Sequence, residues 1–201
     1  MRKSLKSKQD PLERQAKEAQ LAKLWQLYKL KAIDLFFGDE TCLSMDPCLP
    51  YGWQLKGETI GILPRKDKKI NLLGFFQTDN SATTYQTQAN VTSKFIIDSI
   101  HHFCEQLIKP TVLVIDNAPT HTSEAFLAEV EQWQQKDLYI FFLPRYCPHL
   151  NKAEIYWRKL KYEWLKADDY LNFECFQAKL NTVLAGIGTQ YNIRFKEQFN
   201  L

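Results

Sequence analysis

The sequence lacks paired cysteines and long apolar runs, and each absence excludes a class of protein. Its five cysteines are odd in number and form no C-x-x-C pair, so neither a zinc knuckle nor a disulfide framework is predicted. No apolar leader follows the charged opening MRKSLKSKQD, and no run of about 18 apolar residues occurs later in the chain. We therefore predict a cytoplasmic protein with reduced thiols and no membrane partner.

A strong net charge is also absent. The formal net charge is +3, so composition alone does not indicate a nucleic-acid-binding protein, although the slightly basic balance permits one. Basic residues cluster in two places, which are Arg2, Lys3, Lys6 and Lys8, and Arg65, Lys66, Lys68 and Lys69. Each cluster either contacts phosphate groups or forms a solvated surface, and the sequence leaves both interpretations open.

The order of elements predicts one α/β domain. A chain of 201 residues with 45% hydrophobic residues is long enough to bury one sizeable core. After a helix at 10–31, strand patterns occur at 32–37, 51–56, 70–77 and 83–88. There follow a helix at 93–108, a strand at 111–116, a helix at 122–135, a strand at 138–143 and helices at 151–166 and 173–187. This order predicts a mixed sheet flanked by helices, with a basic helical extension at 1–31, the globular domain at 32–190 and a tail at 191–201.

Three carboxylates stand at or near the ends of these elements. Asp39 follows the first strand in DLFFGDET, Asp116 ends the run VLVID, and Glu154 lies one turn into a helix. Ligands gather at the carboxyl ends of strands in open α/β sheets, so we expect the two aspartates to meet there and Glu154 to join them by folding. Carboxylates without His or Cys partners suit Mg²⁺. Two such ions can activate a nucleophile and stabilise the leaving oxygen in phosphoryl transfer.

Each of these acids also has a purely structural explanation. Asp39 beside Glu40 is compatible with the start of a turn, and Asp116 followed by Asn-Ala-Pro is compatible with a turn after any buried strand. The spacing Asn151-x-x-Glu154 matches a helix N-cap whose acid bonds the cap backbone. The acids taken singly therefore do not decide between structure and chemistry.

Three sequence blocks together resemble a known family. They are DET at 39–41, DNAPTH at 116–121 and LPRYCPHLNKAEIYWRKLK at 143–161. These blocks resemble the signatures of the mariner-like DDE transposases, specifically the bacterial insertion-sequence branch of the insertion sequence 630 type. The resemblance spans about 35–166, and its third block is the most specific. A proline-bracketed loop, Leu-Asn, an acid and then Trp three residues later rarely coincide by chance.

The resemblance implies a ribonuclease-H-like fold and a metal-dependent endonuclease and polynucleotidyl transferase. It carries Asp39, Asp116 and Glu154 over as the catalytic acids and as the ligands of Mg²⁺ or Mn²⁺. Glu154 follows Asp116 by 38 residues, which is close to the spacing typical of that group. The implied partners are double-stranded DNA, both at the transposon ends and at the target, and a second copy of the chain in a homodimer. A TA target dinucleotide is implied as well.

The same resemblance suggests which residues contact DNA. His121 lies in the second block and is expected to contact DNA, to orient Asp116, or to begin the following helix. Arg158 and Lys161, four and seven residues after Glu154, either reach the phosphates of the cleaved strand or form a soluble surface. The cluster at 65–69 is the other candidate for phosphate contact.

The sequence departs from the family at its start. Family members carry two helix-turn-helix modules before the catalytic domain, whereas only 38 residues precede Asp39 here. We therefore expect DNA reading to come from a separate helix-turn-helix chain or a frameshift-fused N-terminal half. Two alternatives remain, which are an inactive or truncated DNA-binding remnant and another ribonuclease-H-like nuclease.

Overall fold

The computed structural model describes residues 9–48, 56–57 and 68–195. The strand predicted at 51–56, together with Arg65 and Lys66, lies essentially outside these residues. The helices are α1 (Pro11–Lys29), α2 (Ser93–Cys104), α3 (Glu124–Gln135), α4 (Ala153–Lys159) and α5 (Phe173–Ala185). The strands are β1 (Asp34–Ser44), β2 (Lys69–Phe76), β3 (Ala82–Thr87), β4 (Thr111–Ile115) and β5 (Leu138–Phe142).

The five strands form one mixed sheet in the order β3-β2-β1-β4-β5. β2 pairs antiparallel with both β1 and β3, whereas β4 pairs in parallel with β1 and with β5. The prediction of a mixed sheet is therefore confirmed. All residues of β4 are buried, because parallel strands at the centre of a sheet are covered by helices on both faces.

Helices cover both faces of this sheet, and residue alternation along β1 shows how. Leu35 and Phe37 belong to a buried cluster that includes residues of α1, α4 and α5. Phe36 points the other way, into a second cluster formed with residues of α2 and α3. The chain therefore has two layers of helices with the sheet between them.

Two predicted boundaries differ from the structure in ways that bear on function. β1 continues to Ser44, seven residues beyond its predicted end at 37, because its antiparallel pairing with β2 extends from Phe37 to Ser44. The helix predicted at 151–166 is regular only in α4, after which Leu160–Trp164 forms a π-helical segment and Ala167–Tyr170 a 3₁₀ turn. Such π segments often accompany functional sites. Among the described residues, no helix is long and apolar enough to cross a membrane.

Candidate active site

Asp39 lies inside a strand rather than after one, which corrects the predicted position. The parallel pairing of β1 with β4 ends at Phe37, opposite Val114, whereas the antiparallel pairing with β2 continues and places Asp39 opposite Gly74. Asp39 therefore stands just past the last parallel pair, where β4 has also ended. This arrangement brings it to the same edge of the sheet as Asp116, as the prediction required.

Asp116 follows β4 directly and is held by two donors. Its Oδ1 accepts hydrogen bonds from the backbone N–H of Ala118 at 2.9 Å and from Nδ1 of His121 at 2.9 Å. The first bond closes the turn that the sequence allowed, so the structural interpretation of this segment is correct too. The turn and the placement of a carboxylate at the strand end are compatible with each other.

His121 connects Asp116 to β1. Its side chain is 2% exposed, and its Nε2 lies 3.0 Å from Oε1 of Glu40, the residue after Asp39. Burial lowers the pKa of His121, but the hydrogen bonds and charges of the two carboxylates outweigh burial and raise the pKa to about 10. The imidazolium can donate from both nitrogens at once.

This geometry supports one of the predicted roles of His121, the orientation of Asp116, and its contact with DNA stays a prediction. Contact with DNA would require a buried ring to leave both carboxylates, whereas the alternative role of orienting Asp116 uses the bonds that are present. The hydrogen bond from His121 in turn lowers the pKa of Asp116, so this acid stays ionised.

Glu154 is exposed at the start of α4, and a neighbouring amide sets its position. Asn151 is 4% exposed, and its Oδ1 accepts from the N–H of Ala153 at 3.1 Å while its Nδ2 donates to the carbonyl of Gly38 at 2.9 Å. The predicted alternative, in which Glu154 bonds the cap backbone, is not what the described residues show, since none of them donates a hydrogen bond to its carboxylate. At the helix start, Asn151 supplies the side-chain acceptor for the N–H of Ala153.

Close packing brings α4 against the sheet. Gly74, which pairs with Asp39, has no side chain, and a Cβ there would lie 2.7 Å from Cη2 of Trp157. The Trp157 ring also packs edge-on against Phe76, with centroids 4.9 Å apart. Glycine at 74 therefore allows the helix that carries Glu154 to approach the strand pair that carries Asp39.

All three acids line one cavity of about 460 Å³. Its walls come from the turn after β4 and from the loop between β5 and α4. The remaining lining residues are Asn117, Ala118, Pro119, Thr122, Leu143, Pro144, Arg145, Tyr146, Cys147, Pro148 and Asn151. Segments of the three sequence blocks, which are far apart in the chain, thus converge on a single depression.

The electrostatics of this cavity centre on Asp39. Burial raises its pKa first, and the negative charges of Glu40, Glu154 and Asp116 raise it further, to about 8. The raised pKa of Asp39 means that nearby cations do not balance the negative charge around this buried carboxyl group. Perturbation of this kind in a cleft is typical of functional sites.

The donor set fits a hard divalent cation. Oxygen ligands from a few carboxylates, completed by water and phosphate, are what Mg²⁺ uses in proteins. Within the part of the chain that the structure describes, no three His, Cys, Asp or Glu side chains already converge tightly enough to hold one ion. The acids stand along the cavity wall, so a cation there would draw them together and would relieve the charge that raises the pKa of Asp39.

Among the described residues, the basic side chains predicted to contact DNA do not line the cavity. Arg158 is exposed on α4, whereas Lys161 falls in the π-helical segment, so the regular seven-residue spacing from Glu154 is broken. Lys69 begins β2, five residues before Gly74, and therefore lies about 17 Å along the strand from Asp39. Lys68 is exposed and stands over the ring of Phe173. Their DNA contacts stay predictions.

Sequence reasoning overlooked two side chains that join the acids, Glu40 and Asn151, and one cation, Arg145. Arg145 is exposed on the cavity wall, in the proline-bracketed loop whose residues the resemblance had already singled out. Glu40 had been considered only as part of a turn and Asn151 only as a cap. Nothing in the local sequence indicates that their partners lie on other segments.

The comparisons with known proteins define first a class and then a family. The five-stranded mixed sheet with helices on both faces is the ribonuclease-H-like fold, shared with the catalytic core of Mos1 transposase. The family model for DDE superfamily endonucleases matches residues 34–177, more than half of the chain. The chain belongs to this family, and the matched range contains Asp39, Asp116 and Glu154.

Several similar structures are Mos1 transposase complexes. The Mos1 strand transfer complex is 16% identical with a TM-score of 0.57, over 88% of this chain and 55% of that one. The Mos1 mariner paired-end complex with Mn has the same identity and TM-score, over 88% and 56%, and the complex with Mg is 14% identical with a TM-score of 0.51, over 91% and 64%. The chain thus spans little more than half the length of these proteins. Among curated proteins, none matches the chain.

Proposed function

We propose that this chain is the catalytic domain of a DNA transposase of the mariner-like group, in the bacterial insertion-sequence 630 branch. It cuts double-stranded DNA at transposon ends and joins the freed 3′-hydroxyl ends to target DNA. The observation that carries the proposal is the convergence of Asp39, Asp116 and Glu154 on one cavity. Membership of the DDE endonuclease family and the Mos1 fold likeness support it.

In this proposal each acid has a distinct task. Asp116, ionised and fixed by His121, is the permanent anionic ligand, and Asp39 becomes one when a divalent cation displaces its proton. Glu154 completes the set from α4. Bound Mg²⁺ or Mn²⁺ would activate the attacking oxygen and stabilise the leaving one. The Mos1 complexes with Mn and with Mg support this choice of cations.

The DNA partner is proposed on the same basis. The cavity is open, and Arg145 on its wall offers a guanidinium for a phosphate near the scissile bond. A homodimer on paired transposon ends, and reading of those ends by a separate or fused helix-turn-helix module, belong to the same proposal. Strand transfer and paired-end complexes of Mos1 support a substrate of this kind.

A nicking assay on supercoiled plasmid tests the proposal. We expect the chain to nick DNA with Mg²⁺ or Mn²⁺, and Glu154→Gln and Asp116→Asn each to lower the rate at least about 1000-fold, because they remove a metal ligand. Glu163→Gln is the matched control, since Glu163 is an exposed acid in the π-helical segment that pairs with Lys159 and is outside the cavity lining. It should nick like the unsubstituted chain.

The outcomes separate the candidate functions. Equal nicking by the unsubstituted chain and by Glu154→Gln would overturn the three-acid site. Metal binding without nicking would favour an inactive remnant. Faster cleavage of an RNA–DNA hybrid than of a transposon-end duplex would favour another nuclease of the same fold.

A further inference from the structure

The three acids come from separate segments, and a buried side chain joins the segments of Asp116 and of Glu154 to the Gly38-Asp39-Glu40 triplet. On one side, Asn151 bonds the carbonyl of Gly38 and the N–H of Ala153, which are the residues before Asp39 and Glu154. On the other side, His121 bonds Glu40 and Asp116. Asp39 therefore sits between two cross-links that lead to the other two acids.

The carboxamide of Asn151 is suited to linking Gly38 and Ala153, and few other side chains could replace it. A carboxamide supplies a donor and an acceptor about 2 Å apart, so one buried group satisfies two backbone groups from different segments. Alanine would leave both backbone groups without these partners, and aspartate would lack the donor for the Gly38 carbonyl. A helix cap alone would need only the acceptor.

The link through His121 leaves one oxygen of Asp116 available. Both hydrogen bonds to the carboxylate, from His121 and from the N–H of Ala118, fall on Oδ1. From the described residues Oδ2 accepts none, and the carboxylate lines the cavity. Fixing one oxygen of a ligating carboxylate while the other binds the ion is how hydrogen bonds around metal sites orient ligands.

We propose that Asn151 and His121, the latter anchored by Glu40, are positioning residues that set the spacing of the three acids for divalent-cation binding. The proposal rests on the proposed function, since it assumes that these acids hold the metal. It assigns His121 and Asn151 a role in metal affinity and not only in folding. In this proposal both side chains act through their hydrogen bonds to other residues.

Mn²⁺ binding to the full chain without DNA tests this, with the free-ion electron paramagnetic resonance signal as the readout. We expect Asn151→Ala and His121→Phe each to raise the Mn²⁺ dissociation constant about 10- to 100-fold, because loss of groups that orient ligands weakens metal sites by about this factor. The phenyl ring keeps the contact with Phe126, 5.8 Å away between centroids. Excess Mn²⁺ should restore nicking in both variants, and it should not in Asp116→Asn.

Two matched controls separate positioning from folding. Asn172→Ala removes the amide that caps α5 by accepting from the N–H of Cys175 at 2.8 Å, and His101→Phe removes the histidine that pairs with Glu129 at 3.1 Å. Both sites are outside the cavity lining. We expect each control to lower the melting temperature as its counterpart does, with a Mn²⁺ dissociation constant within about twofold of the unsubstituted chain.

The possible failures are distinguishable. If the unsubstituted chain binds no Mn²⁺, or if Asp116→Asn binds it equally well, the proposed function fails. If Mn²⁺ binding depends on Asp116 but the folded Asn151→Ala and His121→Phe variants bind like the unsubstituted chain, only the positioning inference is overturned. Should either variant not fold, Asn151→Ser and His121→Gln, which keep part of the hydrogen bonding, take its place and must still weaken Mn²⁺ binding.

Discussion

Two aspartates on the same strand have opposite surroundings. Asp34 begins β1 and pairs with Lys109, whose Nζ lies 3.0 Å from Oδ1. Asp39, five residues later, faces the carboxylates of Glu40, Glu154 and Asp116 instead, and its pKa is raised to about 8. The first residue of the strand is a neutralised acid, and the middle of the strand has an accumulation of negative charge.

The difference arises from the neighbouring strand. Lys109 stands just before β4 and Asp116 directly after it, and the parallel register brings Lys109 beside Asp34 and Asp116 beside Asp39. The same two strands thus provide a cation at one end and an anion at the other. A fold selected for stability alone would neutralise both acids, so the unbalanced charge around Asp39 is consistent with the proposed cation site.

The largest expected difference between the two acids is in the response to metal. We expect Mn²⁺ at about 100 times its dissociation constant to stabilise the unsubstituted chain by about 2.7 kcal/mol, or roughly 5–10 °C for a chain of this size. Asp34→Asn should keep this gain, whereas Asp39→Asn should lose most of it because a ligand is gone. Thermal unfolding with and without Mn²⁺ measures both, and equal gains would remove the functional distinction between the acids.

The next effect is on the free energy of unfolding of the metal-free protein at pH 8, which we expect Asp39→Asn to raise and Asp34→Asn to lower. Asp39→Asn should raise the free energy of unfolding by at least about 1 kcal/mol, since it removes a charge that burial and three acids disfavour. Asp39 stays protonated up to about pH 8 in the folded state but ionises near 3.8 in the unfolded state. The folded state therefore binds more protons in this window, and stability falls as the pH rises through it.

Denaturant unfolding at several pH values between 5 and 8 checks this sign. The unsubstituted, metal-free chain should lose stability across the range, and Asp39→Asn should show a shallower slope. A slope that is unchanged by the substitution would mean that Asp39 titrates normally.

The smallest expected effect is the loss of the Asp34–Lys109 pair. Both side chains are partly exposed, so Asp34→Asn should destabilise the chain by only about 0–1 kcal/mol, and less at high salt. Denaturant unfolding at low and high ionic strength measures it. A loss well above this range would show that the paired end of β1 matters more to stability than its exposure suggests.

The sequence predicts β4 and the acid at its end, but it does not predict the full length of β1, which depends on long-range contacts. The apolar, β-branched run before Asp116 identifies β4 and the acid at its end, because a central strand needs that composition. The extent of β1 was underestimated, since its last residues, such as Cys42 and Ser44, owe their strand conformation to pairing with β2. The local sequence of β1 does not indicate that β2 pairs with these residues.

The candidate site shows the same division. Asp39, Asp116 and Glu154 were identified from short blocks, where spacing and family resemblance suffice. The second partners of His121 and Asn151 are Glu40 and Gly38, which are 81 and 113 residues away, so no local rule could supply them. The π-helical turn after α4 was missed for a related reason, because apolar spacing does not separate it from a regular helix.

The cross-link made by Asn151 also has a consequence for protein synthesis. The ribosome releases Asp39 and Asp116 well before Asn151 and Glu154, and domains fold largely as units once their contacts are available. A nascent chain that ends before residue 151 holds two of the three acids but neither the helix that carries the third nor the amide that seats it. Because of the order of translation, an unfinished chain does not contain all three acids of the candidate site.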